Sequence, residues 1–390
     1  MFAVVTLAVI SHTAFTASRM TVTLAAIHLQ APTYVVGMLL SLYALLPMLL
    51  SVSIGRWIDR VGTRIPMLLG AITLGVAFIV PTLWLSLPAL YVNSVSTGVG
   101  FLLFHMSVQK LTGELGDDSA RMRNFGLLAV GFSVSAFCGP IMAGHLIDSV
   151  GHDASFAASF IASALLIATA FALLKWRWRF DGRAPISAPA RPLNARVFDL
   201  LETPELRRLY VAIVMISSLW DLFMFLVPVQ GSNIGLTASQ IGFVLAAFSA
   251  ATFLVRVALP LFVDRLSEWQ MIGIVQVVAA GVYLVFPLVT GHHGLIVLSF
   301  VLGLGLGVGQ PAVMSLLHRV TPPGRIGEAV GLRMTMVNGT QTVLPTVFGS
   351  VGSLLGTFLS GSFLFAPLFW GMAVMSGMGG ASALRARRTG

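Results

Sequence analysis

The chain has 390 residues, of which 57% are hydrophobic and 9% charged, with a mean hydropathy of +0.92. A soluble domain carries about a quarter charged residues, so this composition excludes one and points to an integral membrane protein. The net charge of +9 raises the question of nucleic acid, but the basic residues are spread through loops, which excludes a nucleic-acid patch. The single cysteine, Cys138, excludes an internal disulfide, and no Cys/His spacing suggests a metal site.

Apolar segments of about 20 residues, the length that spans a bilayer, fall at 2–27, 34–55, 66–86, 89–110, 124–147, 154–175, 208–230, 238–261, 270–290, 294–317, 328–350 and 356–379. Twelve transmembrane helices, six per half, are predicted in an all-α membrane protein. The run Met1-Phe2-Ala3-Val4-Val5 has no basic region before it, so it begins a retained helix and not a cleaved signal. So abrupt a beginning is also what a start codon placed downstream of the true one would leave.

The first helix carries His12 and Arg19. Between the second and third lies Gly55-Arg56-Trp57-Ile58-Asp59-Arg60-Val61-Gly62-Thr63-Arg64, read as a tight charged turn at a membrane surface, with its two glycines making the turn. In the fourth helix Ser94, Phe101, His105 and Gln109 share one face. The fifth contains Ser135-x-x-x-Gly139-Pro140-x-x-Ala143-Gly144. Residues 176–207, rich in arginine and proline, read as a linker between an N-terminal unit, 1–175, and a C-terminal unit, 208–380. A short amphipathic piece is expected near 195–206, and 381–390 forms a basic tail.

The second unit repeats the first. Asp59-Arg60 recurs as Asp264-Arg265, an offset of 205, and the same offset relates Gly37 to Gly242, Gly98 to Gly303, Pro140 to Pro345 and Gly144 to Gly349. Matches at residues that fix backbone geometry mark a duplication. An even helix count per unit makes the two units parallel. Loop charge agrees: Arg56, Arg60, Arg64, Lys110, Arg121, Arg123, Arg265, Arg319 and Arg325 alternate with connections near Gln30, Leu87, Gly151, Ser232, Gly291 and Leu355 that hold no Lys or Arg. Both termini are therefore expected on the cytoplasmic side.

Ionisable groups inside a membrane are functional candidates, because an unpaired one costs at least about 2.5 kcal/mol. Asp221 in the seventh helix maps by the repeat onto position 16, within a turn of Arg19. The two residues read either as a proton-coupling pair or as a static salt bridge. Gln310 stands in the tenth helix where His105 stands in the fourth, with Met314 one turn on. Together with Asn338 and Gln341 of the eleventh helix they form a candidate substrate cavity, hydrogen bonding between helices being the alternative. Arg256 is expected to snorkel to the surface. No phosphate-binding loop, nucleophile elbow or paired carboxylates occur, so neither ATP hydrolysis nor an enzyme active site is indicated, and no cofactor is expected.

On these residues the chain resembles the major facilitator superfamily. Gly55-x-x-x-Asp59-Arg60-x-Gly62-x-Arg64 is similar to that superfamily's loop signature, with Trp57 in place of leucine, and the fifth-helix pattern resembles its antiporter signature, with Ser135 and Ala143 in place of glycines. The resemblance implies two pseudo-symmetric six-helix bundles rocking about a midplane cavity. It implies gating by Gly55, Asp59, Arg60, Gly62, Arg64, Asp264, Arg265, Gly139, Pro140 and Gly144. Asp59 would face the start of the eleventh helix around Glu328 to Gly331, and Arg60 or Arg64 would pair with Glu114. Drug/proton antiporters of the family usually carry arginine where Ser94 stands here. The expectation is a monomeric transporter of the bacterial inner membrane that exports a small apolar or amphiphilic molecule against protons. The rivals are uptake or uniport of an organic anion held by Arg19, and a non-transporting receptor on the same fold.

Overall fold

The computed structural model describes residues 2–114, 118–175, 197–259, 266–322, 325–356 and 363–386. Among them the chain forms twelve long α-helices and no strand. The first six are α1 (Phe2–His28), α2 (Thr33–Val61), α3 (Arg64–Leu83), α4 (Leu87–Glu114), α5 (Asp118–Ser149) and α6 (His152–Lys175). The second six are α7 (Pro204–Asn233), α8 (Ala238–Ala258), α9 (Glu268–Val285), α10 (His292–Val320), α11 (Ile326–Leu355) and α12 (Ala366–Ala386). Among the described residues eight spans, in α2–α5 and α7–α10, are long and apolar enough to cross a membrane. Within the region of the expected amphipathic piece, Val197–Leu201 forms a 3-10 turn.

Three boundaries differ from the sequence reading. The charged stretch after the second apolar segment is not a ten-residue turn: α2 continues to Val61, and the turn is Gly62 and Thr63. A helix leaving the hydrocarbon keeps its own backbone hydrogen bonds while Arg60 reaches water, so nothing ends it at the apolar boundary. It stops where Gly62 takes φ 80° with its N–H on the Ile58 carbonyl, a conformation that glycine adopts without strain. Gly55 lies inside the helix against the Met106 methyl. The eleventh helix runs to Leu355, and the twelfth begins only at Ala366 with Pro367 at its second position, where a missing N–H costs nothing.

Each half packs its helices in the same way, α1 on α5, α2 on α4 and α3 on α6, and correspondingly α7 on α11, α8 on α10 and α9 on α12. The repeat extends to individual contacts. A Cβ on Gly98 would lie 2.5 Å from the Tyr43 carbonyl oxygen, and one on Gly303 would lie 2.4 Å from that of Phe248. The two partners are themselves 205 residues apart.

One buried slot shows how the halves diverge. Between α1, α2 and α4, the Ser18 and Tyr43 hydroxyls lie 2.7 Å apart and donate to Asn93 Oδ1 at 3.1 and 3.0 Å, while Asn93 Nδ2 donates to the Ala77 carbonyl at 2.7 Å. The equivalents in the second half are Phe223, Phe248 and Leu298, and the two phenyl rings stack at 4.4 Å. Asn93→Leu is expected to destabilise by about 1–3 kcal/mol, because Tyr43, Ser18 and the Ala77 carbonyl lose their partner inside the bundle. The double variant Tyr43→Phe/Asn93→Leu, which copies the second half, is expected to cost less than Asn93→Leu alone. Thermal unfolding of the detergent-purified protein checks both.

The halves meet through α2 on α11 and α5 on α8, with α1 beside α7. At the end away from the charged turn this contact is made of backbone. A Cβ on Gly37 would stand 2.2 Å from the Pro345 carbonyl oxygen and one on Gly242 2.5 Å from that of Pro140; Gly349 and Gly144 are equally close to the Thr33 and Ala238 carbonyls, at 2.5 and 2.4 Å. Ser41 and Thr346 hydroxyls bridge α2 and α11 at 2.8 Å. Asp148, at the end of α5, accepts from the Ala238 and Ser239 N–H groups at 3.0 and 2.7 Å. A carboxylate from one half thus caps a helix N-terminus of the other, where the dipole favours negative charge.

Candidate functional site

Two unlike walls of side chains stand out, one in each half. The first half contributes rings, because α1, α4 and α5 place aromatic residues at helical spacing toward one point. Phe15 stacks on Phe101 at 4.1 Å and Phe101 on His105 at 4.9 Å, while Phe132 packs against both His12 and His105 at 5.0 Å. These five side chains are partly exposed, and the more exposed Gln109 holds its Nε2 2.8 Å from His105 Nε2.

The second half contributes polar and charged groups. A recess between α7, α10 and α11 is lined by Ser217, Trp220, Asp221, Gln310, Arg333 and Gln341, with apolar neighbours including Ile216 and Val337. Asp221 is 2% exposed, the one buried carboxylate among the described residues, and its Oδ2 has no hydrogen-bond partner. The nearby Thr340 hydroxyl donates to the Val337 carbonyl at 2.7 Å. Arg19 of α1 is near enough for its charge to act on Asp221 across the interface between the halves. No ion pair within 4.0 Å joins them.

Of the other sequence candidates, Phe101, His105 and Gln109 stand on the aromatic wall, and Gln310 and Gln341 line the recess. Met314 and Asn338 are partly buried on α10 and α11. Ser94 is fully buried, its hydroxyl donating to the Leu90 carbonyl at 2.9 Å, and it offers nothing to the cavity. Gly139 is pressed against Thr16 and the Thr13 carbonyl of α1, whereas Gly144 and the Pro140 carbonyl meet α8, so the fifth-helix pattern serves two faces. Arg60 and Arg64 are exposed at the charged turn. Asp264 and Arg265, and the side chains of Asp59 and Glu114, lie outside the described residues. Arg256 donates its Nε–H to the Gly307 carbonyl at 3.4 Å, which ties α8 to α10.

Arg333 and Phe132 escaped the sequence reading, and His12 was read there as structural. Arg333 lies only two turns into α11, where an arginine normally reaches the interface, but it is 9% exposed and faces the recess. Its signal was a cation inside an apolar segment. His12 and Phe132 belong to the aromatic wall through contacts between helices that no spacing along one helix reveals.

The family model for the Major Facilitator Superfamily matches residues 4–345 and 209–389. Among curated proteins, the class G tetracycline resistance protein of Vibrio anguillarum is 27% identical over 330 residues, 81% of this chain and 80% of that protein. The class B tetracycline resistance protein of Escherichia coli is 22% identical over 333 residues, 81% of this chain and 78% of that one. Among solved structures, a peptide transporter of the POT family in complex with sulfate superposes with a TM-score of 0.79 at 15% identity, over 99% of this chain and 94% of the other. A bacterial homologue of the human lysosomal transporter Spinster, inward-facing and occupied, gives 0.76 at 15% identity, over 100% and 97% of the two chains.

Proposed function

The chain belongs to the major facilitator superfamily and is a multi-pass membrane transporter, not an enzyme, and on that premise we propose that it exports a small amphiphilic organic molecule in exchange for protons. The observation that carries this reading is Asp221: a buried carboxylate with an unpartnered oxygen, lining the recess between α7, α10 and α11, and within electrostatic range of Arg19 of the other half. Such a group can take up a proton in one conformation and release it in another as burial and the cation's distance change. The aromatic wall suits a ring system, and the relatives named for tetracycline resistance favour export of a polycyclic amphiphile.

Orientation follows from the arginine-rich loops, which put the charged turn and both termini in the cytoplasm of a bacterial inner membrane. The glycine and Asp148 contacts then close the two halves together on the outer side. The protein works as a monomer, its 176–207 segment joining the two bundles.

The test is substrate-triggered proton movement in proteoliposomes, with a pH-sensitive dye inside and a panel of polycyclic amphiphiles outside. Saturable flux accompanied by an opposite proton flux is the expected result. Flux without a proton signal would reduce the reading to facilitated diffusion or another coupling ion. Uptake of simple organic anions that fails in Arg19→Ala would favour the anion-importing alternative.

A further inference from the structure

Arg333 is a buried charge that the packing of the described residues leaves unexplained. It is 9% exposed, its Nε has no hydrogen-bond partner, and the Met334 thioether at 4.0 Å is the one partner of its guanidinium among the described residues. Among the described residues no carboxylate lies within ion-pair distance. A buried, unpaired arginine is costly, and nothing in the packing of α11 repays it. Its position in the first half is taken by Leu128, a buried core residue, so the fold does not need a cation there.

The recess around it has a direction. Arg333, Val337 and Gln341 stand at successive turns of α11 and all line it, which gives a slot about 12 Å long at 1.5 Å per residue. Arg333 marks the end nearer the charged turn, Gln310 and Gln341 supply amide groups, and Asp221 lies on α7 along the same slot. Trp220 of α7 supplies the aromatic surface of the lining.

We infer that the slot is an acid-recognition subsite: the transported molecule is a planar aromatic compound bearing an acidic oxygen group, held by the Arg333 guanidinium while its ring lies against Trp220. A planar guanidinium with free N–H groups matches a carboxylate or enolate in two parallel hydrogen bonds. This inference rests on the cavity being the substrate site, but not on the direction of transport or its coupling to protons.

Equilibrium dialysis of the full chain in lipid nanodiscs, corrected for empty nanodiscs, tests it with two isosteric probes, anthracene-9-carboxylate and anthracene-9-carboxamide. The carboxylate is expected to bind about tenfold more tightly or better. Arg333→Gln should remove that preference by weakening the carboxylate alone, and Arg333→Lys, which keeps the charge without the fork, should restore part of it. Unchanged carboxamide binding in Arg333→Gln shows that the cavity has folded. Equal affinities in the natural protein, absence of carboxylate binding, or a carboxylate affinity untouched by Arg333→Gln would each overturn the inference. The comparison in the natural protein stands even if Arg333→Gln does not fold. A preference that Arg333→Gln removes, in a protein that moves no protons in the liposome assay, would leave this inference standing and the proton-exchange reading refuted.

Discussion

Asp221→Asn is expected to reduce substrate-driven proton movement in proteoliposomes to the leak of empty vesicles, while counterflow of labelled substrate across the same membranes continues. Asparagine has the shape of the neutral acid, so the conformational cycle that a protonated Asp221 permits remains open. What is lost is the alternation between charged and neutral forms in a site where carboxylates serve as proton relays. Asp221→Glu, which keeps the carboxyl one methylene farther out, should retain a reduced signal. Undiminished proton movement in Asp221→Asn would remove Asp221 from coupling and leave it the part of a structural anion for Arg19. Loss of both proton movement and counterflow would indicate that the cavity itself had failed.

Gly37→Val should hold the transporter open on the side that is sealed here. A Cβ at Gly37 falls 2.2 Å from the Pro345 carbonyl oxygen, and the obstacle is backbone, which no side-chain rotation relieves. Overpacking of this kind costs about 1–3 kcal/mol. Only the closed arrangement bears it, so the ratio of closed to open shifts by roughly 5- to 150-fold. A cysteine introduced at Ser41, in place of the hydroxyl that bridges to Thr346, reports the change in a Cys138→Ser background. It should be protected from an impermeant maleimide in the parent and labelled in Gly37→Val, with transport falling in parallel. Gly281→Ala, placed where nothing lies within 4 Å, is the neutral control. Equal protection in both proteins would mean that α2 and α11 do not part at this contact.

The sequence carried the fold almost whole, because a membrane helix is announced by local composition and the duplication by glycines and prolines whose spacing packing cannot alter. The offset of 205 even holds for the atoms those glycines touch. The site was legible only where a charge or amide interrupts an apolar run, as at Asp221, Gln310 and Gln341. Arg333 carried the same mark but sat near a helix end, where snorkelling is the ordinary outcome; its burial depends on neighbours from α7 and α10. The Ser18, Tyr43 and Asn93 cluster is composed of residues from three helices, none unusual in its own segment. Asp148 at a helix terminus reads as a solvated end, and only the approach of α8 makes it a cap.

The sealing contacts have the form of a homodimer interface folded into one chain. Gly37 meets Pro345 as Gly242 meets Pro140, and Gly349 meets Thr33 as Gly144 meets Ala238, so each patch touches the repeat image of its own partner. That is the isologous pattern of a two-fold dimer. A single six-helix ancestor with these glycines would already have possessed a surface complementary to its own copy, and fusion had only to raise the effective concentration of a pair that recognised itself. Joining the two copies also freed them to diverge, which a symmetric dimer cannot do: one half could become a wall of rings while the other acquired Asp221 and Arg333.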